Sequence, residues 1–323
     1  LMLNFITWNP DPVALSLGPV EIRWYGIIYA LGFFLAITII DKIFKKENAP
    51  EGWIDKVFIY MILAVIIGAR LGHVFFYGWE YYSKHPAEIF MVWHGGLASH
   101  GGAIALVICA WLMSKFMTKQ SFFWLADRVF VGSSLVAVLI RIGNLMNSEI
   151  YGKPTDLPWG FYFLRGDTAY ANIDGALHTF HYGDVITLNG VQQYCTSQAL
   201  YDAGLLLPCH PTQIYESLAY LIVFILLMWL YWKKEGGKYN GLITGVGFTG
   251  IFIARQIIEF LKNPQETFEE NMTFNMGQWL SLPFVIIGII LIVRAIKKGK
   301  VEYHLPQPTP AKTGNKIDNK KKK

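Results

Sequence analysis

Seven apolar stretches dominate this chain, at about 20–40, 54–76, 98–117, 122–146, 212–232, 241–261 and 279–296. Each is near the ~20 residues a helix needs to cross the ~30 Å hydrocarbon core of a bilayer. That feature narrows the fold more than any other. Inside lipid every backbone N–H and C=O must find a partner within the protein, and a helix satisfies its own. Composition agrees: of 323 residues, 53% are hydrophobic and 16% charged, where a soluble domain carries about 25% charged residues. The expected fold class is an all-α polytopic membrane protein with seven transmembrane helices. Met2 reads as the natural start, and the first apolar run as a full span rather than a cleavable signal peptide.

The charges between the runs fall into two kinds. Lys42, Lys45, Lys46 and Lys56 flank the first connection, Lys115 and Lys119 the third, and Lys233, Lys234 and Lys238 the fifth. The alternate connections are poor in base, with Lys84 against Glu80 and Glu88, and Lys262 against Glu266, Glu269 and Glu270. Basic loops stay on the cytoplasmic side, so the expected N-terminus is periplasmic and the C-terminus cytoplasmic. Residues 301–323 form a basic tail whose Pro306, Pro308, Pro310 and Gly314 suggest disorder. Its lysines suit an anionic lipid surface better than a nucleic acid. Residues 1–300 are expected to form one seven-helix domain.

The connection over 150–208 is long and polar, and reads as an extracytoplasmic loop subdomain. From 149 to 207 it carries Glu149, Asp156, Asp167, Asp174, Asp184 and Asp202 against Lys153 and Arg165, an acidic balance that fits the outer face. "DVITLNGVQQY" alternates like a strand or hairpin around Asn189-Gly190. Cys195 and Cys209 could pair there if the loop meets an oxidising compartment; Cys109 reads as packing within its span. "LRGD" at 164–167 contains an RGD tripeptide of the kind that occurs by chance, and an adhesion role is discounted. No internal repeat is visible, which counts mildly against a transporter.

Polar groups inside spans are expensive and are functional candidates by default. Four clusters sit at the outer helix ends. "RWYG" (23–26) carries Tyr25, which an interfacial aromatic belt also explains. "HGGLASHGG" (94–102) sets His100 among glycines, with Gly101 and Gly102 allowing close approach of a backbone or ligand; a structural histidine is equally open. "RIGNLMNSEIYG" (141–152) places Arg141 and Asn144 three apart on one helix face. Glu149 follows near the helix end, before Gly152 and Pro154. An arginine this deep needs an anion, either Glu149 or a lipid phosphate, which guanidinium suits. "RQIIEF" (255–260) sets Arg255 and Glu259 four apart, giving a local salt bridge or a second arm of a phosphate clamp. "HPTQIYE" (210–216) opens a helix with Gln213, Tyr215 and Glu216, which read as structural. No metal-ligand spacing is evident, and no cofactor is expected.

Together, "RWYG", "GGLASHGG", "RIGNLMNSEIYG", "HPTQIYE", "RQIIEFLKNPQ" and "NMGQWLSLP" resemble the prolipoprotein diacylglyceryl transferase family over about residues 10–296, the loop at 155–207 apart. The R-x-G-N-x-x-N-x-E-x-x-G pattern is highly specific to it. The resemblance implies a multi-pass enzyme of the bacterial inner membrane. Such an enzyme moves the diacylglyceryl group of phosphatidylglycerol onto the lipobox cysteine thiol of a prolipoprotein, the first step of lipoprotein maturation. The partners implied are phosphatidylglycerol, the lipobox peptide and membrane lipids, with no nucleic acid. At matching positions the resemblance suggests Tyr25, His100, Arg141 and Arg255 as catalytic residues, and Arg141, Asn144, Glu149, Gly152, Arg255 and Glu259, with Gly101 and Gly102, as binding the phosphatidylglycerol head group. A departure is Ile251, where the family often has tyrosine four residues before the helix-six arginine. Within that implication His100 is the candidate base, and Arg141 and Arg255 face the leaving phosphate with Asn144 assisting. Glu149 and Glu259 orient the arginines. An ion path or a non-catalytic scaffold would use the same buried charges differently.

Overall fold

A computed structural model of the chain describes residues 5–92, 95–181, 183–188, 190–262 and 275–306. His94, Asn189, Glu266, Glu269, Glu270 and the tail over 307–323 lie outside the described residues, so the expected tail disorder does too. Among the described residues, seven helices are long and apolar enough to cross a membrane. They are α1 (Trp24–Lys46), α2 (Trp53–Phe76), α3 (Ser99–Met113, continued by a π turn over Ser114–Thr118), α4 (Phe122–Met146), α5 (Thr212–Lys233), α6 (Leu242–Ile258, closed by a 3-10 turn over Glu259–Leu261) and α7 (Met276–Lys298). The expected seven-span class therefore holds.

Its first boundary needs correction. Residues 20–23 are not helical. They form strand β3 (Val20–Arg23), which pairs antiparallel with β2 (Val13–Leu17), and α1 begins only at Trp24. An apolar β-branched run reads as strand or helix alike in a short window. Here pairing of Leu15 with Ile22 and Leu17 with Val20 decides it. α7 starts three residues earlier than its apolar run because Asn275 and Gln278 form a capping box, each side chain bonding the other's backbone N–H.

The chain divides into two compact units: Leu1–Ile40 with Ser121–Glu302, and Asp41–Gln120 with Tyr303–Lys323. In the second, α2 and α3 cross closely. A Cβ on Gly101 would stand 2.3 Å from the carbonyl oxygen of Gly68 and 2.8 Å from Cα of Gly72, the small-residue contact that lets membrane helices touch backbone to backbone. Arg70 of α2 is buried and donates to the carbonyls of Glu88, Ile89, Gly95 and Gly96. It thereby fixes the connection that leads into α3.

In the first unit, α6 and α7 make a similar crossing at Gly245 and Gly288. The connection after α4 is mostly strand: β4 (Phe161–Phe163), β5 (Thr168–Ile173), β6 (Ala176–His181), β7 (Val185–Leu188) and β8 (Val191–Tyr194). β5 and β6 form one hairpin, turned at Asp174-Gly175 with both residues at positive φ, as such two-residue turns require. β7 and β8 form the hairpin expected from "DVITLNGVQQY". The sequence reading missed β1 (Ile6–Trp8), which runs parallel to β4. The Trp8 indole donates to the carbonyl of Leu145 at 2.9 Å, tying the N-terminal strand to the end of α4.

Cys195 and Cys209 are both free thiols. Cys195 packs with Leu164, Ala171 and Leu200, whereas Cys209 packs with Tyr151, Phe161 and Phe163. Each thiol lies in its own apolar cluster, and the disulfide considered from sequence does not form. Burial pushes the Cys209 thiol up to about 12. Cys195 is also raised, by burial first and by Asp184 second.

Candidate functional site

The last turn of α4 carries Arg141 and Asn144 on one face, and the Arg141 guanidinium Nη1 donates to Asn144 Oδ1 at 3.1 Å. The Asn144 amide in turn donates to Glu149 Oε1 at 2.7 Å, joined by Asn147 at 3.3 Å. Glu149 can fold back onto the helix end because the chain turns sharply. Ser148 and Ile150 both have positive φ, 53° and 60°. For a β-branched isoleucine that is a strained conformation. Bonds from α5 hold it: Thr212 Oγ1 donates to the Ile150 carbonyl at 2.8 Å, and Gln213 Nε2 to the Glu149 carbonyl at 2.7 Å.

Glu149 is not the direct partner of Arg141. That partner is Glu216 of α5, whose Oε2 lies 3.0 Å from Arg141 Nε, with the glutamate side chain fully buried. Glu216 Oε1 accepts from the Tyr220 hydroxyl at 3.2 Å and from Lys262 Nζ at 3.0 Å. Lys262 Nζ also lies 3.4 Å from Glu259 Oε2. Glu259 Oε2 is 3.9 Å from Arg255 Nε, and Asn275 Nδ2 donates to Glu259 Oε1 at 3.3 Å. Five charged groups thus run in one line: Arg141, Glu216, Lys262, Glu259, Arg255.

Burial along that line is uneven. Glu216 and Glu259 are 0% and 4% exposed, whereas the side chains of Arg141 and Arg255 are 16% and 34% exposed. The carboxylates are thus closed off while the two arginine side chains stay partly open. Guanidinium groups held this way suit an anionic head group, for which charge-assisted bonds are the strong ones.

Other expected residues find definite places. Tyr25 packs its ring on Gly143, where a Cβ would stand 2.8 Å from Tyr25 Cδ2; it sits beside the turn that carries Arg141 and Asn144. Gly152 pairs with Lys262 in an isolated bridge. A Cβ on Gly152 would stand 2.4 Å from the Leu261 carbonyl oxygen, so this glycine permits a backbone approach. Gly101 and Gly102 are buried, and the nearest atoms a Cβ there would meet belong to α2. His100 belongs to the other compact unit, is exposed, and contacts the rings of Phe76 at 5.2 Å and Tyr77 at 5.7 Å.

Sequence reasoning missed Lys262 and Tyr220, and gave Glu216 only a structural role. The spacing of Gln213 and Glu216, three apart at a helix start, was the available signal. For Lys262 the local signal was Glu259, three residues before it; its second carboxylate, Glu216, comes from another helix and was not legible. His210, next to the site through its carbonyl bond to the Gly152 N–H at 2.8 Å, has its imidazole pKa lowered by burial.

Comparison with known proteins shows what the whole chain is similar to. The family model described as prolipoprotein diacylglyceryl transferase matches residues 12–294. A phosphatidylglycerol–prolipoprotein diacylglyceryl transferase of Porphyromonas gingivalis is 45% identical over 91% of this chain and 95% of its own length. The enzyme of the same name from Chloroherpeton thalassium is 41% identical, over 93% and 97%, and that from Tolumonas auensis 37%, over 90% and 98%.

Proposed function

The chain belongs to the prolipoprotein diacylglyceryl transferase family, and from that membership we propose how its residues carry the reaction. The activity is transfer of the diacylglyceryl group of phosphatidylglycerol to a prolipoprotein. The acceptor is the lipobox cysteine thiol. Its sulfur attacks the terminal glyceryl carbon as a thiolate, a C–S bond forms and the C–O bond to phosphate breaks. The electron pair leaves on the phosphate oxygen, and glycerol phosphate departs.

Two tasks follow. The thiol, with an ordinary pKa of about 8.5, must lose its proton, and His100 is the proposed base because imidazole titrates near neutral pH. The charge growing on the leaving phosphate needs fixed cations, since preorganised electrostatics act most strongly in a dry site. Arg141 and Arg255 supply them. Asn144 orients Arg141 and is itself held by Glu149, and Glu259 orients Arg255. Tyr25 buttresses the Arg141 turn. Gly152 sets the backbone spacing, and Gly101 and Gly102 pack α3 against α2.

The enzyme works in the bacterial inner membrane, with its N-terminus and the 150–208 subdomain periplasmic. The 301–323 tail is cytoplasmic and follows a single transferase domain over 1–300. The carrying observation is that the Arg141 and Arg255 side chains are partly exposed while the carboxylates paired with them are buried. The test uses purified protein, phosphatidylglycerol and a lipobox peptide, with mass spectrometry. A diacylglyceryl mass gain on the peptide cysteine, lost in Arg141→Ala, is expected. Full turnover in Arg141→Ala would sink the clamp, and full turnover in His100→Gln would sink the base.

A further inference from the structure

We propose that Lys262 is a positioning residue that ties Arg141 and Arg255 into one clamp of fixed spacing. The inference rests on the phosphate-holding role given above to the two arginines. Two arginine–carboxylate pairs sit side by side, Arg141 with Glu216 and Arg255 with Glu259. Lys262 touches both carboxylates, at 3.0 Å and 3.4 Å. An ammonium is a compact charge with three donors and no acceptor, suited to bridging two carboxylates. Without it, Glu216 and Glu259 are two buried like charges that each turn more fully onto their own arginine. That motion would draw the guanidiniums inward and change the distance between them.

The ammonium is itself held in place. The Lys262 N–H donates to the Glu259 carbonyl at 3.2 Å, and the Lys153 N–H donates to the Leu261 carbonyl at 2.8 Å. The Lys262 backbone bridges to Gly152, whose N–H is bonded to His210. The far oxygen of Glu259 is fixed by Asn275. The side chain is only 3% exposed, so Lys262 acts through the arginines and not on the lipid. The 141–152 turn and the segment after α6 are therefore joined directly by backbone at Gly152, and indirectly by this ammonium through Glu216, which pairs with Arg141.

The experiment compares full-length Lys262→Met, Lys262→Arg, Glu216→Gln/Lys262→Met and Arg141→Ala in the peptide transfer assay, with thermal melting of each. Misplacing a catalytic group by about 1 Å lowers turnover about 100-fold, and that loss in kcat is expected for Lys262→Met. Lys262→Arg, which keeps a bridging cation, is expected to recover most of it. The double variant removes both charges, so its melting temperature should rise above that of Lys262→Met. Its transfer should stay low, because Arg141 has lost its carboxylate. Transfer that recovers along with stability would overturn the proposal, as would wild-type kcat in Lys262→Met. Should Lys262→Met fail to fold, the double variant decides by the same criterion, with wild-type transfer counting against. Activity in Arg141→Ala would instead remove the clamp itself, which separates the two failures.

Discussion

Arg141 Nε and Glu216 Oε2 lie 3.0 Å apart, the arginine side chain 16% exposed and the glutamate side chain fully buried. A buried carboxylate so placed orients the arginine rather than competing for its open side. Arg141 also reaches Asn144 through Nη1 at 3.1 Å. One planar fork therefore serves two partners at once, and a lysine ammonium cannot reproduce that geometry. Arg141→Lys is expected to keep the fold, with a melting shift within about 4 °C, roughly 1 kcal/mol for a chain of this size. Its transfer rate should fall about 100-fold. A peptide-lipidation assay beside a thermal melt checks both halves.

Gly152 gives a prediction of the opposite kind, in which backbone spacing is at stake. A Cβ there meets the Leu261 carbonyl oxygen at 2.4 Å, with Thr212 Cγ2 at 2.8 Å behind it. Carbonyl oxygen cannot swing away as a side chain can, so the 141–152 turn and the segment carrying Lys262 must separate. Gly152→Ala is expected to cost about 1–3 kcal/mol, as overpacking does, and to lose transfer with it. Gly26→Ala is the control, since a Cβ there meets nothing within 4 Å. Its melt and activity should match the parent.

The sequence carried the spans well, because lipid forces a long apolar helix wherever such a run occurs. The boundary at Val20–Arg23 was not legible, since cross-strand pairing and not local propensity makes it β3. β1 was hidden for the same reason: its partner, Phe161–Phe163, lies far along the chain. In the site, Arg141, Asn144 and Glu149 come from one continuous motif, and their mutual bonds follow from helical spacing. Glu216 reaches Arg141 and Lys262 only through tertiary contact. The motifs displayed both arginines and Glu259, and left only the carboxylate of Arg141 to be found in space.

The two loop cysteines yield a pH-dependent prediction. Burial raises the Cys209 thiol above the ordinary thiol range, to about 12. A group whose pKa is raised on folding keeps its stabilising effect below the unfolded pKa and loses it as pH rises toward the folded one. Stability should therefore decline between about pH 9 and 12, and Cys209→Ala should flatten that decline. The same burial makes the thiol unreactive. Maleimide at pH 7.5 is expected to leave Cys209 unmodified in the folded protein and to label it in denaturant. Rapid labelling of the native form would contradict the packing described.

Asp127 provides the test that separates stability from chemistry. It lies 14 residues before Arg141 on α4, a separation of roughly 21 Å at 1.5 Å per residue. The side chain is fully buried, and its oxygens accept from the Gly241 N–H at 2.8 Å, the Thr244 N–H at 2.9 Å and the Thr244 hydroxyl at 2.7 Å. Those amides are orphan donors at the start of α6, which Gly241 precedes without any side-chain cap of its own. Asp127 therefore caps a neighbouring helix from within α4. Removing it leaves buried N–H groups unmet, and each such loss is worth about 1–3 kcal/mol. Asp127→Ala is expected to lower the melting temperature clearly. Below that temperature the KM for phosphatidylglycerol and the kcat per folded molecule should be unchanged, because no contact of the Arg141–Arg255 line passes through this residue. A specific fall in kcat without loss of stability would show that the two ends of α4 are coupled.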